Sequence, residues 1–166
     1  AAFARHHLKG PTMGRVYAVP FSAVAVTAAQ DLVEASPGDD LLLRLIGWKL
    51  FQTSDHGDAQ AEGLSLTVIR GHTVAGSGGT SVTPARLDPT DSAATFTAKV
   101  NNTTVASSGT PITVQAGGWN LQAGADEYLP EELRPVARQS DGTLVVRMSA
   151  PADSITASGV FYFQEG

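Results

Sequence analysis

Apolar residues in this chain recur at every second position, in short runs closed by turn residues. That alternation restricts the fold more than any other feature. Successive side chains of a strand point to opposite faces, whereas a helix gathers its apolar residues at spacings of three and four. In 63–70, Leu64, Leu66 and Val68 alternate with Ser65 and Thr67. In 95–100, Phe96, Ala98 and Val100 alternate with Thr95, Thr97 and Lys99. In 143–149, Leu144, Val146 and Met148 alternate with Val145 and Arg147. Shorter signals of the same kind lie at 15–19, 22–27, 103–106, 111–121 and 154–164. No segment carries a convincing amphipathic helix; one helical turn is expected at 126–133, around Pro130.

Segment 41–52 is apolar on both faces, with Leu41, Leu43 and Leu45 on one and Arg44, Ile46, Trp48 and Leu50 on the other. It reads as a central strand buried on two sides. Its limits, Pro37-Gly38-Asp39 and Thr53-Ser54-Asp55, and the internal Gly47 argue against a helix. In 111–121 the pair Gly117-Gly118 predicts a bulge or a close backbone approach. Residues 71–92, rich in Gly, Ser, Thr and Pro, have no regular pattern and read as a long loop that is functional or packed against a partner. Eight to ten short strands with turn-rich connections predict an all-β antiparallel sandwich, most economically a jelly roll. The domain organisation expected is an N-terminal arm, 1–12, and a single β domain, 13–166.

Composition supports this. Thr, Ser, Gly and Pro fill about a third of the 166 residues, and charged residues only 16%. A surface of Thr and Ser suits strands and turns. The net charge of -5 argues against binding nucleic acid by counterion release. The chain has no cysteine, which excludes disulfides and thiolate chemistry. It has no run of the roughly 18 apolar residues that a spanning helix needs. The arm lacks the apolar stretch of a signal peptide.

The candidate chemical constellations are weak. His56 lies in Asp55-His56-Gly57-Asp58 near Glu62, but the spacing matches neither a calcium loop nor a zinc set, and a polar turn is the plainer reading. Gly76-Ser77-Gly78-Gly79-Thr80 lacks the lysine and following helix of a phosphate loop. Asp126, Glu127, Glu131 and Glu132 surround Tyr128 in a turn beside Pro130 and Pro135, where paired glycosidase carboxylates do not belong. Trp48 and Trp119 fill a core more readily than they line a sugar platform with Tyr128. His6, His7, His56 and His72 fall in expected loops or the arm, and no Ser-His-Asp set is identifiable. The sequence therefore predicts no catalytic residue, no cofactor and no metal. The basic arm, with Phe3 and Leu8 as apolar anchors, reads either as an extension upstream of a natural start at Met13 or as an arm that docks on a neighbouring subunit.

Several phrases carry a resemblance. They are Val16-Tyr17-Ala18-Val19; Ala28-Ala29-Gln30-Asp31-Leu32; the run from Ser54 to Leu64; Gly76 to Pro84; Asn101-Asn102-Thr103-Thr104; Trp119-Asn120-Leu121-Gln122-Ala123-Gly124; Tyr128-Leu129-Pro130; and Val160-Phe161-Tyr162-Phe163. From Met13 to Gly166 the chain resembles a family of small proteins encoded among the head genes of tailed bacteriophages and prophages. The resemblance implies a jelly-roll virion protein, made in the host bacterial cytoplasm. It would act as a capsid cement or decoration protein, bind the major capsid protein on the outer head surface and assemble as a homotrimer. The arm departs from that pattern. Expected interaction residues are Phe3, Arg5, Leu8, Lys9, Val74, Ser77, Val82 and Tyr162. The rival reading is a carbohydrate- or receptor-binding sandwich of a phage fibre; a small virion hydrolase would need facing carboxylates, which the sequence does not place.

Overall fold

The computed structural model describes residues 14–54 and 62–166. In chain order the strands are β1 (Arg15–Val26), β2 (Gln30–Ser36), β3 (Leu43–Gln52), β4 (Gly63–His72), β5 (Thr80–Val82), β6 (Ala85–Arg86), β7 (Thr97–Asn102), β8 (Ile112–Asn120), β9 (Ala125–Tyr128), β10 (Val136–Ala137), β11 (Thr143–Met148) and β12 (Ile155–Glu165). They form two antiparallel sheets packed as a sandwich. Sheet A runs β10-β3-β12-β1-β6, with β9 also on β3; sheet B runs β5-β7-β2-β11-β4-β8.

The pairing is nested. β1 pairs β12, β2 pairs β11, β3 pairs β9 and β10, and β4 pairs β8. A hairpin of four long arms rolled into two sheets gives this order, which is that of a jelly roll. Between β4 and β8 the chain makes an excursion containing β5, β6 and β7. The excursion extends sheet B through β7 and β5, and sheet A through β6.

The alternating residues of the sequence meet between the sheets. Tyr17, Val19, Phe161 and Phe163 from sheet A face Leu64, Leu66, Val68, Leu144, Val146 and Met148 from sheet B. Phe96 joins them, edge-on to Tyr17 at 5.6 Å and tilted against Phe163 at 5.5 Å. Trp48 and Trp119 are both buried in this core, as core residues rather than a platform.

Bulges explain where the simple alternation misleads. In β3, Phe163 pairs Leu45 while Tyr162 pairs Gly47, so Ile46 is an extra residue. The phase shifts there, and Trp48 and Leu50 join Leu43 and Leu45 in the core instead of opposing them. Gly47 admits the edge strand, since a Cβ on it would lie 2.1 Å from the Glu127 carbonyl oxygen. In β1 the expected runs at 15–19 and 22–27 are one strand, bulged between Phe21 and Val24. There Ala23 takes a φ of 53° and donates its N–H to the Ser158 hydroxyl.

Three further expectations are corrected. The helical turn placed at 126–133 is the strand β9 followed by a single 3₁₀ turn, Glu131–Leu133. Segment 103–106 forms only an isolated bridge, Ser77 with Thr104, and not a strand. The bulge in β8 falls at Val114, between the pairs Val68–Gln115 and Ile69–Thr113, and not at Gly117-Gly118.

Candidate functional site

The two sheets present different outer faces. On sheet A the register sets three outward rows: Val16, Gln164, Arg44 and Val136; Ala18, Tyr162, Gly47 and Tyr128; and Pro20, Val160, Lys49 and Asp126. The face is mostly apolar and aromatic at its centre, because β12 is apolar on consecutive residues: Phe161 and Phe163 enter the core while Val160 and Tyr162 point out, half-buried. Phe51 is 50% exposed on the same face. At the edge, Tyr128 is 72% and Leu133 69% exposed. Arg134 fixes this edge: its guanidinium donates to the Leu129 carbonyl, the Gln164 amide oxygen and the Tyr128 hydroxyl, each at 3.1 Å. Lys49 reaches Asp126 at 3.2 Å, both ends solvated. Such a pair contributes little to stability.

Sheet B has a roof. The loops flanking Val74 and Ser107 pair with each other and lie over the outward row of Glu34, Val145 and Ile69. Ile69, Ala106 and Val145 form a small second core beneath them. Two carboxylates anchor the roof. Asp31, fully buried, takes the Arg147 Nε–H at 2.6 Å and the Ala106 backbone N–H at 2.7 Å; Arg147 also donates to the Ala106 carbonyl at 2.9 Å. Glu34 accepts the Gly76 N–H at 2.7 Å and the Asn102 amide at 3.0 Å. Lys99 donates to the Gly76 carbonyl. The glycine run lies flat on the sheet for this reason. A Cβ on Gly76 would meet Asn102 and Thr104 within 2.7 Å, and one on Gly79 would meet the Val100 carbonyl oxygen at 2.3 Å. Residues expected to be a loop against a partner thus pack on their own sheet.

A third carboxylate, Glu165, ties the ends of the chain together. It pairs with Arg15 at 2.9 Å and accepts the backbone N–H groups of Thr95 and Phe96. Above it, burial raises the Tyr17 phenol from its ordinary value of 10.0, with Arg15 pulling it back and Glu165 adding to the rise; the hydroxyl donates to the Ser92 carbonyl. On the surface, hydrogen bonds from the Thr90 hydroxyl and N–H hold the Asp88 carboxyl below its ordinary range.

One cleft of about 610 Å³ opens where the two sheets meet. Arg70, Thr73, Thr110, Ile112, Arg138 and Asp141 are among its lining residues. Arg70 is held by the Val136 carbonyl at 3.0 Å, and Asp141 accepts the Arg138 backbone N–H. His72, between Gly71 and Thr73 in the chain, is buried with both ring nitrogens unpartnered.

The expected interaction residues that are described do not form one patch. Phe3, Arg5, Leu8 and Lys9 lie outside the described residues, as does His56 with Asp55 and Asp58. Val74 and Ser77 sit on top of the roof, exposed, each in a bridge. Val82 is half-buried in β5 against the core. Tyr162 alone belongs to the outer face of sheet A. Asp126, Glu127, Glu131 and Glu132 line one exposed edge and do not face one another across a groove. Among the described residues no cluster of His, Cys, Asp and Glu could hold a metal ion, and no helix is long and apolar enough to cross a membrane. Sequence reasoning missed the roof carboxylates, because Asp31 and Glu34 fall in β2, which has no clean alternation. Comparison of the chain with family models, with curated proteins and with solved structures finds no match.

Proposed function

We propose that this protein is a non-enzymatic structural component of a tailed-bacteriophage head, a cement or decoration protein that lies on the outer shell and binds the major capsid protein. The observation that carries the reading is the contrast between the two outer faces. Sheet B carries a roof over the middle of its outer face, whereas on sheet A Phe51 and Tyr128 are exposed and Val160 and Tyr162 half-buried, with no such roof among the described residues. Exposed apolar and aromatic side chains gathered on one face mark a contact surface. The buried carboxylates support a structural rather than a catalytic role, since Asp31, Glu34 and Glu165 are each engaged by two or more donors. A rigid scaffold rich in small side chains also loses little side-chain entropy when it is ordered on a shell.

The test is addition of the purified protein to phage heads lacking it. Wild type should occupy the shell and raise the temperature at which heads burst. Tyr162→Asp should lose occupancy while the isolated domain melts as before. Removal of residues 1–12 should weaken attachment with the fold intact. Shells left bare by the wild-type protein would overturn the proposal. The cleft beside Arg70 and Arg138, with its hydroxyl lining, favours the second reading, a module that binds a carboxylated glycan; saturable binding of such a glycan with no shell occupancy would establish it.

A further inference from the structure

A sheet edge exposes unpaired N–H and C=O groups, and proteins blunt it with short strands, charges, proline or bulges. Among the described residues, three of the four sheet edges are blunted by brevity. β5 has three residues, β6 two, and the edge beyond β3 is split into β9, with four, and β10, with two. The fourth, β8, has nine residues, Ile-Thr-Val-Gln-Ala-Gly-Gly-Trp-Asn. It contains no charge and no proline. Its bulge at Val114 lies near the start and leaves Gln115 to Asn120 regular. Ile112 and Val114 are exposed on it.

Among the described residues, nothing in the single chain requires its glycine pair. A Cβ at Gly47, Gly71, Gly79, Gly109, Gly142 or Gly159 would strike a backbone atom at 2.5 Å or less, so those glycines are required by the fold. A Cβ at Gly117 would meet nothing within 4 Å, and one at Gly118 only the Leu64 carbonyl oxygen at 3.5 Å. Neither takes a positive φ. Glycine weakens a strand and marks a bulge, a bend or the close approach of a ligand or another backbone, and the bulge of β8 lies elsewhere, at Val114. Because successive residues point to opposite faces, the pair clears both faces of the edge at one point. A second sandwich can approach this edge there without meeting a side chain on either face.

We propose that the free edge of β8 pairs antiparallel with β8 of a second copy of this chain, through Gly117-Gly118, joining two B sheets into one. Length selects the occupant: among the described residues the only edge that matches β8 is β8 itself, and self-pairing gives a closed two-fold interface. Charge selects it as well. The chain carries a net charge of -5, and the β9 edge holds Asp126 and Glu127, so two copies meet without facing like charges along the neutral strand. Main-chain hydrogen bonds then supply the affinity. The proposal does not depend on attachment to a capsid, and it differs from the three-fold assembly that the resemblance implies.

The test is native mass spectrometry of the full chain at micromolar concentration, with Gly117→Pro and Gly118→Pro. Adjacent residues of an edge strand direct their N–H groups alternately toward and away from β4, so one of the two prolines removes only an outward donor. Thermal melting identifies that variant as the one closer to wild type. Wild type should run at the mass of two chains, and the folded proline variant at the mass of one. Should both prolines unfold the domain, Gly118→Lys, whose Cβ has room, brings two like charges together at the axis and should likewise abolish the dimer. A monomer at every concentration, a trimer, or a dimer that survives the folded variant would overturn the proposal.

Discussion

Sheet A and sheet B are built from the same kind of alternating strand, yet they treat their outer faces in opposite ways. Sheet B turns two carboxylates outward, at Asp31 and Glu34, and then covers them with loops that supply the N–H groups of Gly76 and Ala106. Sheet A turns Val160 and Tyr162 outward, half-buried, and has no such roof among the described residues. The difference shows that a residue's chemistry does not decide its burial alone. A carboxylate is tolerated inside when donors converge on it, and an apolar side chain stays outside when nothing in the chain reaches it. The roofed face and the barer face thus lie on opposite sides of one sandwich.

This contrast is breakable. The largest effect is expected at the roof. Asp31→Ala leaves the Arg147 guanidinium and the Ala106 N–H without their acceptor, a loss of roughly 3 kcal/mol or more. Chemical denaturation should show it, and a loss below about 1 kcal/mol would mean that the roof is not anchored there.

A smaller effect is expected between the sheets. Tyr17→Phe removes the hydrogen bond to Ser92, about 1 kcal/mol at neutral pH. It also changes the alkaline limb. The Tyr17 phenol is raised in the folded state, so its contribution is whole below the ordinary value of 10.0 and is lost as the pH climbs above it, where the unfolded chain ionises first. Wild type should therefore lose more stability than Tyr17→Phe across that window. Parallel alkaline limbs would refute the assignment.

The smallest effect is expected on the bare face. Phe51→Ser should leave the melting free energy within about 0.5 kcal/mol of wild type, because the ring is half in solvent already. A large loss would show that sheet A is less independent of its outer residues than its geometry implies.

The alternation of Leu64, Leu66 and Val68 and of Leu144, Val146 and Met148 was legible because each run lies on a regular ladder with one face in the core. The Leu41–Gln52 region was half legible: its burial follows from its residues, but the phase change at Ile46 depends on β9 arriving beside Gly47, which no local pattern announces. β2 was not legible as a strand. Its buried Asp31 and Glu34 become acceptable only through Arg147, Ala106, Gly76 and Asn102, all distant in the chain. The outward placement of Tyr162 was legible from its neighbours, since four consecutive apolar residues in a strand must leave some on the outside. The free edge of β8 was invisible for a simpler reason: whether a strand is an edge depends on what fails to pair with it.

The nested pairing also governs how the molecule must be made. Arg15 and Glu165 bond across 150 residues, and β12 lies between β1 and β3. Until the last strand is synthesised, sheet A exists only as separated pieces with unpaired edges. Contacts of such long range fold slowly and leave edges exposed meanwhile. Its own strand order therefore makes β12 the strand that closes sheet A. Any form of this chain without Ile155–Glu165 lacks the seam of sheet A, and β1 and β3 are then left with facing unpaired edges.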